Sequence, residues 1–340
     1  RDTFVSADWL AARLDDPGVR VVDVRDAWEY DGIGHVPGAV SIPFDAFRSS
    51  AGDAGMLPGA DRWTELLSNA GVAPDDEIVA YDDEHGVFAA RFLVTTGLYG
   101  HDPGKLHVLD GDYSSWSREH ETERDAPATT PADYEVREPT DSALVGFEEV
   151  NTRLGEDTVI VDTRDPEEYA AGHLPGAVNL DWLALVDANT RGLKPRERLE
   201  SVLAEAGIGP DRTVLLYCNT ARRISHTYLA LRHLGYEDVL FYEGSLSEWE
   251  ERDGEIVSER AVPARVDRIA SVARAVRDLG KSPLGRDAVG REQADRLGQQ
   301  RDDERADDEP HGAERKQPPT KPTKYTETEG LLWFRRAGAG

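Results

Sequence analysis

A single cysteine, Cys218, follows the apolar run VLLY (214–217) and stands four and five positions ahead of consecutive arginines, Arg222 and Arg223. One thiol cannot close an intramolecular disulfide, nor can it supply a cysteine-rich zinc or iron–sulfur site. Its uses therefore narrow to a reactive nucleophile or an inert core atom. The run VLLY has the length and composition of a buried parallel strand, and RRISHTYLALRHL (222–234) places Ile224, Tyr228, Leu231 and Leu234 on one helical face. Cys218 is thus expected at the carboxyl end of a strand, in a loop feeding a helix amino terminus, the edge at which open α/β sheets bind ligands. Unpaired backbone N–H groups, the positive end of the helix dipole and two guanidinium groups converge there. All of them favour the thiolate, the nucleophilic form. The neighbours Asn219, Thr220 and Ala221 argue against an apolar pocket.

The elements that must hold this loop occur twice. VVDVRDAWEYDGIGHVPGAV (21–40) reappears as IVDTRDPEEYAAGHLPGAV (160–178), IVAYDDEHG (78–86) as VLLYCNTAR (214–222), and LDGDYSSW (109–116) as YEGSLSEW (242–249). The offset drifts only from 139 positions (Asp23 to Asp162) through 136 (Asp82 to Cys218) to 133 (Trp116 to Trp249). Landmarks in one order at nearly one spacing mean two copies of one domain. Strand-like runs alternate with helical patterns, so the expected class is α/β, each copy a parallel sheet flanked by helices. The expected organisation is a first domain over 1–118, a polar linker over 119–142, a second domain over 143–258 and a tail over 259–340. That tail is read as one amphipathic helix (Val266, Ile269, Val272, Val276, Leu279) followed by a largely disordered stretch, with an apolar LLWF at 331–334.

Composition bounds the partners. The chain of 340 residues carries a net charge of -27, divided as -29 over 1–260 and +2 over 261–340, and has six lysines. Acidic excess with scarce lysine suits a salt-rich cytoplasm, where repulsion between carboxylates is screened within about 3 Å at 1 M ionic strength. Such a surface repels nucleic acid and anionic membrane. No apolar run approaches the roughly 18 residues of a membrane span, and the first residues do not read as a secretory signal. No cofactor and no metal site is expected: Asp82 and Asp83 form an acidic pair with no histidine or carboxylate cluster around it.

Taken together, DTRDPEEYAAGHLPGAVN (162–179), the loop Cys218-Asn219-Thr220-Ala221-Arg222-Arg223 and GSLSEW (244–249) resemble the tandem rhodanese family of thiosulfate and 3-mercaptopyruvate sulfurtransferases over about residues 4–255. In that family one domain is catalytic and the other degenerate, which fits Asp82 at the position of Cys218. The resemblance implies that Cys218 takes the outer sulfur of thiosulfate as a persulfide and passes it to cyanide or another thiophilic acceptor. It further implies that the amides of 219–223 stabilise the anion, that Arg223 closes the loop and supports the charge, and that Arg164 and Arg222 contact substrate. Related cysteine phosphatases use a C-x5-R loop, which would need arginine at 224; that residue is Ile224, and Arg223 gives the shorter C-x4-R loop. Two rival readings remain open: 3-mercaptopyruvate as donor, or a persulfide carrier serving a partner protein. His35 and His173, like Asp23 and Asp162, recur in both copies and are read as structural; His226 is read as an ordinary helix residue.

Overall fold

The computed structural model describes residues 2–48, 57–137, 143–155 and 157–259. Strands β1 (Phe4–Val5), β2 (Val19–Asp23), β3 (Val40–Ser41), β4 (Glu77–Tyr81) and β5 (Leu106–Leu109) form one sheet in the order β1-β5-β4-β2-β3. A second sheet joins β6 (Leu144–Val145), β7 (Thr158–Asp162), β8 (Val178–Asn179), β9 (Thr213–Tyr217) and β10 (Val239–Tyr242) in the matching order β6-β10-β9-β7-β8. Every pairing is parallel, and the register repeats: Val21 faces Val79 as Ile160 faces Leu215. The two-copy α/β reading therefore holds strand by strand.

Helices cover both faces of the sheets. The first domain carries α1 (Ala7–Ala11), α2 (Ala27–Gly32), α3 (Phe44–Phe47), α4 (Ala60–Asn69), α5 (Val87–Leu98) and α6 (Asp112–Glu119). The second carries α7 (Phe147–Arg153), α8 (Pro166–Ala171), α9 (Arg196–Glu205), α10 (Arg222–Leu234) and α11 (Ser245–Glu251). Helix α5 is buried almost all round, from Val87 to Leu98, because one face covers its own sheet and the other packs against α10 of the second domain. One apolar cluster consequently runs through both domains, from Phe4 and Phe92 to Ile224 and Phe241. Among the described residues, no helix is long and apolar enough to cross a membrane.

The polar stretch read as a linker is not free. Glu123 bridges to His35, Ala132 donates its amide to Ser68, Tyr134 is buried against His101, and Arg137 donates to the carbonyl of Tyr99. Gly100 shows how tightly this strap lies: its φ is +86°, and a Cβ there would meet the carbonyl of Arg137. The stretch is instead held along the first domain, largely through its backbone groups. The tail from residue 260 onward, with its expected helix and LLWF end, lies outside the described residues.

Candidate active site

Both copies build the same frame behind the loop after the central strand. In the second copy Asp162, at the end of β7, takes Nε and Nη2 of Arg164 at 2.9 and 2.6 Å, and Arg164 also donates to the carbonyl of Gly172 at 2.5 Å. In the first copy Asp23 holds Arg25 in the same way, with Gly34 as the further acceptor. The aspartates thus anchor arginines. His35 and His173 stack on Tyr30 and Tyr169 at 3.9 and 3.8 Å. His226 is buried between Phe4 and Trp182, and burial pushes its pKa down to about 3, so it stays neutral at ordinary pH.

The loop in the first copy reveals what this geometry holds. The carboxylate of Asp82 accepts the amides of Glu84, Gly86, Phe88 and Ala89 at 2.8, 2.8, 2.7 and 2.9 Å. Burial pushes its carboxyl up and the four donors pull it back. Four convergent N–H groups at the start of a helix make an anion cradle. Counting from Cys218, the same positions are Thr220, Arg222, Ile224 and Ser225, whose amides meet no acceptor outside α10's own turns among the described residues. The loops share their strain as well, since His85 and Ala221 both adopt left-handed backbone, at φ 61° and 60°.

Cys218 itself lies deeper than its polar neighbours suggested: it is 1% exposed and belongs to the apolar cluster shared by the domains. The expectation of a sulfur outside apolar surroundings is corrected in that respect. The reason is the loop, which encloses whatever stands at its first position; Asp82 is also 1% exposed. GSLSEW fixes that position. Ser245, at φ 49°, accepts the Cys218 amide at 3.2 Å, Leu246 donates to the Cys218 carbonyl at 2.9 Å, and the Ser247 hydroxyl donates to the Asn219 carbonyl at 2.8 Å.

The charged side chains divide their labour differently from expectation. Arg223 donates both terminal nitrogens to Glu168, so its charge is already neutralised. Glu168 also takes Nδ2 of Asn219 at 2.7 Å, while Oδ1 of Asn219 accepts from Arg164 at 3.3 Å. Arg164 is buried and committed to Asp162, Gly172 and Asn219, so it steadies the loop from behind. Thr220 contributes no side-chain hydrogen bond among the described residues, and Ala221 supplies the left-handed turn. Arg222 takes no hydrogen bond or salt bridge among the described residues; its guanidinium lies 5.2 Å from the ring centre of Phe88, a first-domain residue. Burial, then the like charge of Arg223, lowers its pKa, against which Cys218 acts.

Sequence reasoning missed Glu168 and Ser245. Glu168 had a signal: Asp165 caps α8 by accepting the amides of Glu167 and Glu168, Pro166 starts the helix, and the third helical position falls to Glu168. Chiefly through the hydrogen bond from Arg223, its pKa is pulled down to about 2. A depressed carboxyl stabilises the fold above its ordinary value of 4.5 and loses that contribution as pH falls through about 2, so this clamp persists across ordinary assay conditions. Replacing Glu168 by Gln is expected to lower kcat/KM for the sulfur transfer that the family resemblance implies by about 10- to 100-fold, because Asn219 and Arg223 lose their common anchor. Steady-state kinetics of the purified variant check this, and an unchanged kcat/KM contradicts it.

The first copy's loop has a different occupant above it. Arg191, from the second domain, donates Nε to Asp112 at 2.9 Å and Nη2 to the carbonyl of Asp83 at 2.7 Å, while Leu193 donates its amide to Asp110 at 2.8 Å. The cysteine-free loop thus serves as a docking socket for the second domain.

Comparison with known proteins agrees with this duplicated architecture. The rhodanese-like domain matches twice, over residues 6–119 and 147–252. The chain belongs to the rhodanese family. A thiosulfate sulfurtransferase of Pseudomonas aeruginosa is 35% identical over 255 residues, 71% of this chain and 91% of the relative. A putative thiosulfate sulfurtransferase of Haloferax volcanii is 30% identical over 272 residues, 73% and 93% of the two chains. The crystal structure of the 3-mercaptopyruvate sulfurtransferase SseA from Escherichia coli superposes with a TM-score of 0.66 at 26% identity, covering 72% of this rhodanese and 99% of that chain.

Proposed function

We propose that this rhodanese transfers sulfane sulfur from thiosulfate to a thiophilic acceptor such as cyanide, with Cys218 as carrier. The observation that carries the reading is the Asp82 cradle: at the position equivalent to Cys218, four amides hold one negative charge. In the first half-reaction the Cys218 thiolate attacks the outer sulfur of thiosulfate and a sulfur–sulfur bond forms. The bond to the sulfonate sulfur breaks, its electron pair leaves with sulfite, and the charge moves to the terminal sulfur of the persulfide. In the second, cyanide carbon attacks that terminal sulfur, thiocyanate leaves and the thiolate is restored. The amides of Thr220, Arg222, Ile224 and Ser225 stabilise the persulfide as preorganised donors stabilise an oxyanion. Arg164 and Glu168 act as positioning residues, Asn219 and Arg223 complete the loop wall, and Arg222 offers its unpaired charge to the donor.

The likeness to SseA names the competing donor, 3-mercaptopyruvate. A dianion gains more than a monoanion from a guanidinium that, like that of Arg222, makes no salt bridge among the described residues, and this favours thiosulfate. With the full chain and cyanide as acceptor, kcat/KM is expected to be at least about tenfold higher for thiosulfate than for 3-mercaptopyruvate, a difference of about 1.4 kcal/mol. The reverse ratio assigns the protein to mercaptopyruvate. Turnover seen only with a protein acceptor makes it a carrier.

A further inference from the structure

We propose that the first domain, which lacks a cysteine, supplies half of the donor-binding surface: Phe88 positions the Arg222 guanidinium, and Arg48 joins it as a second cation for the oxyanion end of the donor. The inference rests on the Cys218 reading and deepens it. Three contacts line up. Arg222 stands over the Phe88 ring at 5.2 Å, Phe88 packs on Phe44 with ring centres 4.6 Å apart, and Arg48 lies over Phe44 at 5.8 Å. Two first-domain rings therefore form a ledge with an arginine at each end. One of those arginines is only four residues along the chain from Cys218.

The charges on this ledge are only weakly compensated among the described residues: Glu84 acts on Arg222 through space without forming a salt bridge. Arg223 is satisfied by Glu168, whereas Arg222 takes no salt bridge among the described residues. Among the described residues Arg48 has only an exposed pair with Asp45 at 3.3 Å, of a kind that contributes little. Arg48 and Arg223 both repel Arg222 through space. Holding such guanidinium groups close together is unfavourable until a multiply charged anion arrives, which turns their repulsion into affinity. An aromatic face can orient a cation without neutralising it, and a carboxylate cannot; Phe88 suits the purpose for that reason.

Phe88 also ties the cysteine-free loop to this surface. Its amide is one of the four that hold Asp82, at 2.7 Å, so the anion fixed in the first domain's own loop pins the backbone of the residue that presents Arg222. The degenerate loop thereby acts on the neighbouring site.

The test is steady-state kinetics of the full chain with thiosulfate and cyanide. Phe88→Leu keeps an apolar side chain and removes the ring. It is expected to raise KM for thiosulfate roughly three- to tenfold, the effect of losing a partly desolvated cation–π contact, with kcat changed less than about twofold. Phe88→Trp is expected to restore the wild-type KM, and Arg48→Gln to raise it by about threefold. In an Arg222→Gln background, Phe88→Leu is expected to add nothing, because the ring acts through that guanidinium. The proposal is overturned by an unchanged KM in Phe88→Leu, by equal losses in kcat and KM that Phe88→Trp does not recover, or by additive effects in the double variant. Failure of the underlying reading looks different: wild-type protein treated with thiosulfate then takes up no sulfur on Cys218.

Discussion

Cys218→Ser is expected to reduce thiocyanate formation from thiosulfate and cyanide by at least about a thousandfold, to the uncatalysed background. Serine is nearly the same size, so the enclosing loop, the Ser245 contact to the backbone amide and the domain packing all persist. What disappears is the only atom able to form a sulfur–sulfur bond, for the chain contains no second cysteine. An alkoxide is too basic to form at neutral pH beside a cradle that supplies only amides and guanidinium groups, with no imidazole among the loop residues 218–223. Thermal unfolding of the variant should match the wild type, which separates lost chemistry from lost fold. Retention of a tenth of the activity in a folded Ser variant would remove Cys218 from the mechanism.

Arg91→Met should be the most damaging single change to stability away from the loop. Arg91, in the middle of α5, donates Nη1 and Nη2 to Glu243 at 2.9 and 2.6 Å, and both side chains are buried, at 6% and 8% exposure. The pair joins the domains: α5 belongs to the first, and Glu243 directly follows β10 of the second. Removing the cation leaves a desolvated carboxylate without its bidentate partner, a loss of about 3–5 kcal/mol. Adding Glu243→Leu should recover most of it, because replacing both partners of a buried pair by apolar groups is close to neutral. Activity should fall with stability in the single variant, since Glu243 precedes the Gly244-Ser245 turn that supports Cys218. Denaturant midpoints of the three proteins give the measurement, and a single variant within about 1 kcal/mol of wild type contradicts the account.

Much of this architecture was legible because the chain states it twice. The repeated Asp23 and Asp162, His35 and His173, and Trp116 and Trp249 occupy matching structural places; the two indoles even donate to matching carbonyls, of Glu121 and Glu255, at 2.9 Å. The position of Cys218 between β9 and α10 followed from local periodicity. Pairing across the fold did not. Nothing near 222–223 indicates that Arg223 meets Glu168 in α8 while Arg222 turns to Phe88 in α5. The burial of Cys218 was hidden for a similar reason: polar loop neighbours report their own side chains, not the way the loop closes over its first position, which buries Asp82 and Cys218 alike. The strap over 120–137 looked like a spacer because most of its attachments run through its own backbone groups, which leave no mark in composition.

The central claim is that Cys218 holds a sulfane sulfur between the two half-reactions. Mass spectrometry of the intact protein after thiosulfate treatment, followed by peptide mapping, tests it most directly. The account predicts a gain of one sulfur atom, confined to the peptide containing Cys218, formed with release of one sulfite and discharged by cyanide as thiocyanate. Turnover of thiosulfate by a protein that never acquires that mass would contradict it.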